Sequence, residues 1–358
     1  MVTRLEVVNA YGALLEREPE SDAAIEHHLH FSSFPDLCAA IISSEEFQNR
    51  FARKFGIGPL DQELFGRRES QAAKITIGEL DDVARAFEAN DKRPWLGRTL
   101  ELPDWYDHSI DPASRAYRDQ ILRLWSAITG RSNYDPKTHE DTPEIAALDA
   151  FHRPAFFASK DSSFAGGQMM AMGHILLRSG VGEGSRVLEY GAGFGQTAAA
   201  FARLGATVDT VDINPAFCGV VRTVAAKYEV DLRPHIGIFG HNPAGEDGAY
   251  DLIYFYEAFH HSLDFRALVP ALKRMLKPGG KVILAGEPIF DGPCDEMPYP
   301  WGFRLDWENV AVMRIRGWME LGFQKGYLLD QFAAAGFNCI IHTDPNSHWA
   351  QVYEFRQR

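Results

Sequence analysis

Three glycines preceded by an acidic residue form the strongest chemical signal in the sequence. Glu189, Gly191, Gly193 and Gly195 follow the spacing E-x-G-x-G-x-G, after an apolar run that predicts a strand and before a predicted helix. Glycines let the backbone approach a ligand closely, and the N–H groups at the start of a helix are free to bind it. Gln196 stands where the dinucleotide fingerprint G-x-G-x-x-G has its last glycine, so the loop differs from a nicotinamide site.

A second carboxylate follows one strand later. Asp212 ends the predicted strand Thr207–Asp212. A carboxylate at this point is placed to hold two ribose hydroxyls. The loop and Asp212 together predict a site for a small molecule that contains a nucleoside.

The elements that position these residues alternate between strand and helix from about residue 150. Such alternation predicts a parallel sheet covered on both faces, and a closing antiparallel strand pair is predicted at one edge. The fold class is therefore α/β, doubly wound and mostly parallel. The predicted strands are 186–190, 207–212, 251–256, 281–285, 337–342 and 349–355, and the helices between them are 197–204, 215–228 and 264–276. Pro270 lies inside the last of these helices, which predicts a later start or a kink.

The first 150 residues are predicted to be helical. Apolar residues recur at helical spacing near the N-terminus and again over residues 117–128, and glycine and proline interrupt the chain at residues 56–59. The predicted division is residues 1–56, a small helical domain; 57–150, a helical region and linker; and 151–358, the α/β domain.

Composition and charge exclude several classes of protein. The chain has 36 Lys and Arg against 49 Asp and Glu, a formal net charge of −13, so no nucleic-acid partner is expected. No apolar run approaches the roughly 18 residues that span a membrane, and no signal segment is expected. The four cysteines are far apart and show no metal-ligand spacing. These features predict a cytoplasmic protein with reduced thiols and no metal.

The motifs of residues 150–358 resemble those of the class I S-adenosylmethionine-dependent methyltransferases. Glu189 and the three glycines match the first motif of that family, and Asp212 matches the second. Residues 251–257 match the motif of the fourth strand, and residues 276–281 match the turn before the fifth. The resemblance implies a Rossmann-like sheet of seven strands and S-adenosylmethionine as the cofactor. The cofactor-binding residues that it implies are Glu189, Gly191, Ala192, Gly193, Gly195, Gln196, Asp212, Ile213, Phe239 and Glu257.

One position departs from the family. An acidic residue after the third strand often contacts the adenine amine, whereas this chain has residues 238–242, IFGHN, there. Phe239 stacking on the base and Asn242 bonding to it are two alternatives, and each residue also has a purely structural interpretation.

The residues after the fourth strand are the candidates for catalysis, because the family places that loop beside the transferring methyl. Glu257, His260 and His261 lie there, and histidine titrates near neutrality, as a base for a hydroxyl acceptor should. The alternative is that the histidines only order the loop. Glu287, just after the fifth strand, is a second candidate.

The acceptor is expected to bind the insertion between the fifth strand and the last helix. The candidate residues are Trp301, Arg304, Asp306 and Trp318, because aromatic faces beside charged groups suit a sugar. The alternative interpretation makes the tryptophans core or lid residues. Residues 156–173 are predicted to cover the cofactor.

A narrower resemblance is to bacterial methyltransferases encoded beside glycosyltransferases for cell-surface polysaccharides. Residues 212–215, 257–261 and 299–306 carry it, and residues 11–19 and 44–47 look like a small helical domain of polysaccharide-modifying enzymes. The resemblance implies O-methylation of a sugar hydroxyl on a surface glycan or its precursor. The N-terminal helices are then candidates for self-association or for contact with a polysaccharide-assembly partner.

Two other functions stay open at this point. One is an O- or C-methyltransferase of a lipid or polyketide-type small molecule. The other is a non-catalytic module that binds cofactor or glycan and recruits enzymes. The complete glycine loop and Asp212 argue against the second.

Overall fold

The computed structural model describes residues 2–15, 17–31, 33–42, 44, 46–47, 74–141, 146, 149–155 and 161–358. The chain divides into two compact units, residues 1–73 and 74–358. The predicted boundary at residues 56 and 57, part of the predicted linker (residues 142–145) and the start of the predicted cofactor cover (residues 156–160) lie outside the described residues.

Among its described residues, the first unit contains three short helices and a π-helical turn. They are α1 (Arg4–Ala10), the turn Tyr11–Leu15, α2 (Asp22–His28) and α3 (Phe34–Ile42). Thr3 and Glu6 form a capping box that starts α1. A small apolar cluster around Val7, Leu15 and Leu37 holds the helices together.

A seven-stranded sheet forms the centre of the second unit. Its strands are β1 (Arg186–Tyr190), β2 (Thr207–Asp212), β3 (Leu232–Ile236), β4 (Tyr250–Tyr256), β5 (Leu276–Ala285), β9 (Phe337–His342) and β10 (Val352–Gln357). The order is β3-β2-β1-β4-β5-β10-β9, and β10 runs opposite to the other six strands. The predicted seven-stranded, mostly parallel sheet is confirmed. β5 starts earlier than predicted, because Leu276 already pairs with Tyr250 across a bulge.

Helices cover the sheet. They are α4 (Leu80–Glu88), α5 (Arg115–Thr129), α6 (Pro136–His139), α7 (Asp149–His152), α8 (Ser162–Ser179), α9 (Gln196–Arg203), α10 (Pro215–Tyr228), α11 (Phe265–Met275), α12 (Trp307–Arg316) and α13 (Lys325–Ala334). Asn214 caps α10, whose bounds are those predicted. α11 begins at Phe265 with Pro270 inside it, so the predicted later start is not observed. No helix among the described residues has the length and apolarity needed to span a membrane.

The insertion before α13 folds into a second, three-stranded sheet that the sequence did not predict. Its strands are β6 (Ile289–Phe290), β7 (Trp301–Phe303) and β8 (Leu321–Gln324), in the order β6-β8-β7. Strands of two to four residues are too short for an alternating pattern to become visible.

Residues 74–141 pack into the same hydrophobic core as the large sheet. Trp125 of α5 is fully buried, and its indole N–H donates to the carbonyl of Gly317 at 3.0 Å. The hydroxyl of Tyr117 donates to the carbonyl of Trp301 at 2.6 Å. The predicted boundary at residue 150 thus falls inside a shared core. The division into residues 1–56, 57–150 and 151–358 remains a prediction.

Replacing Trp125 with Ala should lower the free energy of unfolding of the second unit by about 3–5 kcal/mol, the usual loss for a large aromatic in a core. Urea unfolding followed by circular dichroism measures it. Leu177→Ala is the control, because Leu177 is 73% exposed and should change stability by less than about 0.5 kcal/mol. A Trp125 variant that unfolds residues 74–141 while the sheet keeps its stability would show that the core is not cooperative.

A chain that begins at Lys74 should bind S-adenosylmethionine with the affinity of the full chain, because every implied cofactor residue lies in the second unit. Calorimetric titration of both chains measures this. A shorter chain that folds by circular dichroism but loses the cofactor would contradict the expected independence of the two units.

Candidate active site

A cavity of about 420 Å³ opens at the carboxyl ends of β1, β2 and β4. The strand order reverses between β1 and β4, and ligands of doubly wound sheets bind at that point. Eleven of the residues predicted from the sequence line the cavity: Glu189, Gly191, Ala192, Gly193, Gln196, Asp212, Ile213, Phe239, Glu257, His261 and Trp318. Gly195, His260, Trp301, Arg304 and Asp306 do not line it.

The glycine loop has a backbone that other residues cannot easily adopt. Gly191, Gly193 and Gly195 have φ angles of 71°, 51° and 68°, in the left-handed region. A Cβ on Gly191 would lie 2.6 Å from the Cβ of Ala258, in the loop after β4. A Cβ on Gly195 would lie 2.9 Å from Val221 on α10. Gly191 therefore keeps open the space between the loop and the residues after β4, whereas Gly195 permits close helix packing.

The carboxyl groups of Glu189 and Asp212 in the cavity wall can bind a cationic or hydroxyl-bearing ligand. Burial, and next the charge of Asp212, raises the pKa of Glu189 to about 8, and its Oε2 has no hydrogen-bond partner among the described residues. Burial also raises the pKa of Asp212 to about 6, although the N–H of Asn214 donates to its Oδ1 at 2.9 Å. These groups fit S-adenosylmethionine, whose ammonium and ribose hydroxyls are the donors that such carboxyls lack.

Apolar side chains line the part of the cavity next to Asp212. Phe239 and Ile213 belong to this surface, and Phe239 packs edge-on against Tyr190 and Phe255. Asn242 does not reach it, because its amide bonds the carbonyl of Glu246 and the N–H of Ala244 within its own turn. Of the two residues considered for contact with the adenine, Phe239 lines the cavity and Asn242 does not.

Glu287 organises the loop after β4. Its carboxylate accepts the backbone N–H groups of Ala258 at 2.9 Å, Phe259 at 2.8 Å and His260 at 3.1 Å, and contacts Nδ1 of His260 at 2.8 Å. Although burial favours the protonated acid, these bonds hold the pKa of Glu287 below its ordinary value. Nε2 of His260 lies 3.5 Å from Glu320. His260 is thus held between two carboxylates and directed away from the cavity.

His261 is the histidine that lines the cavity. Its Nδ1 is buried without a hydrogen-bond partner among the described residues, and its ring lies edge-on to Trp318 with centroids 5.9 Å apart. Burial, and then the neighbouring His260, lowers the pKa of His261 to about 4. The imidazole is therefore neutral near pH 7.

Glu257 faces the same cavity in a strained backbone conformation. Its φ is 49°, and the amide of Gln168 on α8 donates to its Oε2 at 3.4 Å. Burial raises the pKa of Glu257 to about 7. Met172, also on α8, lines the cavity, so the described part of the predicted cover is a helix beside the site.

The four predicted acceptor residues have different surroundings. Trp301 is buried, and its indole N–H donates to the carbonyl of Pro112 at 3.1 Å. Asp306 caps α12 by accepting the N–H of Asn309. Arg304 pairs with Glu320. Of the four, Trp318 alone lines the cavity. The other three residues make their contacts within the fold.

Sequence reasoning missed the residues that the helical region contributes. Arg118, Tyr134, Pro136 and Glu140 line the cavity, together with Asp264 at the start of α11. Arg118, Tyr134, Pro136 and Glu140 lie in the predicted helical region and linker, and Asp264 begins the predicted helix 264–276; no motif or spacing marks any of them. Only the shared core brings them to the carboxyl edge of the sheet.

One group of described residues has the composition of a metal site. His260, His261 and Glu320 offer ligand atoms within 4.8 Å of one another. Arg304 already pairs with Glu320, and Glu287 already bonds His260. Arg304, and next His261 and His260, lower the pKa of Glu320 to about 2 despite its burial. This network is charge-paired without a metal ion.

Part of the chain matches a family of known proteins. Residues 150–343, more than half of the chain, match the model of a family described as a methyltransferase domain. The ubiquinone biosynthesis O-methyltransferase of Xanthomonas oryzae pv. oryzae is 33% identical over 102 residues, 28% of this chain and 43% of that protein. The protein of the same name from Sodalis glossinidius is 34% identical over 116 residues, 32% of this chain and 47% of that protein. The chain thus spans about half the length of these curated relatives.

Solved structures resemble the chain more distantly. A 1,6-didemethyltoxoflavin-N1-methyltransferase of Burkholderia thailandensis, with bound S-adenosylhomocysteine, is 17% identical with a TM-score of 0.40, and the match covers 60% of this chain and 91% of that chain. The family match, the sheet order and the cavity at the glycine loop all agree. The chain belongs to a family described as a methyltransferase domain.

Proposed function

We propose that the chain is an S-adenosylmethionine-dependent methyltransferase that transfers the methyl group to an oxygen. The acceptor is a sugar hydroxyl of a cell-surface glycan or its precursor. The observation that carries the choice of oxygen is His261, a neutral imidazole that lines the cavity with an unpartnered buried nitrogen. A hydroxyl acceptor needs such a base, because its proton must leave as the new bond forms. The reaction would take place in the cytoplasm, and the N-terminal helices are candidates for contact with a partner.

The other residues of the proposed site bind the cofactor or position the acceptor. Glu189 and Asp212 hold the polar groups of the cofactor, and Phe239 packs beside its base. When bound, S-adenosylmethionine supplies a methyl group on a positively charged sulfur, which an oxygen can attack in line. His261 accepts the hydroxyl proton while the O–CH₃ bond forms and the S–CH₃ bond breaks. Holding the two reactants in line supplies much of the lowering of the barrier.

The base is proposed to be His261 and not His260. His260 has Nδ1 occupied by Glu287 and Nε2 beside Glu320, and it does not line the cavity. Its role is to orient the loop that carries His261. Glu257 is the rival base, because it lines the cavity and burial raises its pKa to about 7.

The sugar acceptor is supported by the narrower resemblance and by Trp318, an aromatic side chain at the cavity that can pack on a sugar ring. The runner-up is O-methylation of another small molecule, which the name of the curated relatives favours. Transfer of labelled methyl to a panel of glycosides, sugar nucleotides and aromatic diols, read by mass spectrometry, tests both. Transfer to an aromatic diol but to no sugar would overturn the sugar assignment.

Replacing Asp212 with Ala should weaken S-adenosylmethionine about 10- to 150-fold, because a hydrogen bond to a charged group contributes about 1.5–3 kcal/mol. Asp212→Asn tests the charge alone. Calorimetric titration measures both, and Asp330→Asn, on the exposed surface of α13, is the matched control. Equal affinity in the Asp212 variants and the control would remove Asp212 from the cofactor site.

Replacing His261 with Gln should lower turnover by about 10²–10⁴, with cofactor affinity nearly unchanged. The exposed His152→Gln is the matched control, and circular dichroism must show that both variants fold. Normal turnover in the His261 variant would leave the histidine with only a loop-ordering role.

The pH profile separates His261 from Glu257 as the base. His261 stays neutral down to about pH 4, so turnover at saturating cofactor should persist between pH 7 and pH 5. If Glu257 were the base, its protonation below about pH 7 would lower turnover about tenfold per pH unit. A profile of the second kind that is lost in Glu257→Gln would assign the proton transfer to Glu257.

A further inference from the structure

A second pair of polar residues lies in the cavity, apart from the glycine loop and the histidine loop. Glu140 and Tyr134 both line the cavity, and the Tyr134 hydroxyl donates to Oε1 of Glu140 at 2.6 Å. Both come from the segment that precedes the matched methyltransferase family region. Neither residue has a place in the cofactor site or in the proton transfer proposed above.

Trp318 connects this pair to His261. Its indole N–H donates to the backbone carbonyl of Asp141, next to Glu140, at 2.8 Å. Its ring lies edge-on to His261, with centroids 5.9 Å apart. The aromatic ring is therefore fixed between the carboxyl and the proposed base.

The carboxyl of Glu140 has spare capacity for hydrogen bonds. Burial raises the pKa of Glu140 to about 8, so near pH 7 the carboxyl is largely protonated and offers one O–H donor beside its acceptor positions. The donor that the structure gives to it is the Tyr134 hydroxyl. A ligand hydroxyl can donate to a free acceptor position of Glu140 without displacing the Tyr134 hydroxyl.

The cavity wall gives an anion few favourable partners. Five carboxyls line it: Glu140, Glu189, Asp212, Glu257 and Asp264. The single arginine among the described lining residues is Arg118, and it is held by both oxygens of Asp264, at 2.7 Å and 3.1 Å. An acceptor phosphate inside this cavity would lose water without gaining an unpaired cation.

We propose that Glu140, Tyr134 and Trp318 form an acceptor subsite for an uncharged, hydroxyl-bearing ring. The ring packs on Trp318, and a hydroxyl other than the one being methylated donates to Glu140. The inference rests on the proposed sugar O-methylation and narrows it to acceptors whose reacting ring carries no phosphate.

Arginines of a neighbouring cavity are alternative partners for a phosphate on the acceptor. A smaller cavity of about 180 Å³ shares Arg118 and Asp264 with the first and is also lined by Arg115 and Arg266. A phosphorylated acceptor that used these arginines would bind more tightly than its neutral counterpart. Comparing the two forms of one sugar therefore decides the question.

The experiment uses the full chain saturated with S-adenosylhomocysteine, so that binding is measured without turnover. The probes are the methyl glycosides of glucose, galactose, mannose and rhamnose and the matching sugar 1-phosphates, followed by saturation-transfer NMR and calorimetry. At least one methyl glycoside should bind about tenfold more tightly than its 1-phosphate. Equal or tighter binding of the 1-phosphates, or no binding by any glycoside, overturns the proposal.

Variants then test the named residues. Glu140→Gln should weaken the glycoside about tenfold and leave the 1-phosphate unchanged or tighter, whereas Tyr134→Phe should weaken the glycoside two- to threefold. Exposed Glu308→Gln, outside the cavity, is the control. A merely structural Glu140 would weaken both probes and the S-adenosylhomocysteine equally, which would overturn the subsite. If a glycoside binds selectively but receives no methyl group, the subsite stands and sugar O-methylation is refuted. Failure of the subsite and failure of the proposed function therefore give different results.

Discussion

The buried carboxylate of Glu287 is the contact on which the rest of the site depends. It gathers three successive N–H groups after β4 and bonds His260, so it fixes the course of the backbone between Ala258 and His261. Ala258 in turn lies against Gly191, and His261 faces the cavity. One carboxylate thus sets the distance between the glycine loop and the proposed base. Ionised in the interior, it is stabilised by its four contacts, and without them a buried charge would be very unfavourable.

The pattern of charges around the cavity follows from what the cavity must hold. Burial raises the pKa values of Glu189, Asp212 and Glu257, because an ionised carboxylate is poorly solvated there. A cationic cofactor beside these carboxyls would favour their ionised forms. Burial also lowers the pKa of His261, because it disfavours the charged imidazolium. Burial therefore keeps the proposed base neutral near pH 7.

Local patterns predicted the sheet well. β1, β2, β9 and α10 have the predicted bounds, because each shows a periodicity or cap that belongs to its own residues. The glycine loop and Asp212 are similarly local. The two histidines were indistinguishable in the sequence, since only tertiary contacts turn His260 to Glu287 and His261 to the cavity. Trp301 and Asp306 appeared suited to a sugar, but burial and a helix cap account for them.

The packing of Trp125 and Tyr117 onto the α/β unit has a consequence for how the enzyme can diversify. The segment from α5 to Glu140 contributes both core side chains and the wall that faces the acceptor. In many α/β enzymes, surface loops carry specificity and vary at little cost to the fold. Here, by contrast, a change of acceptor preference must be made within a segment whose neighbouring side chains hold the molecule together. Selection on the substrate and selection on stability then act on the same stretch of chain.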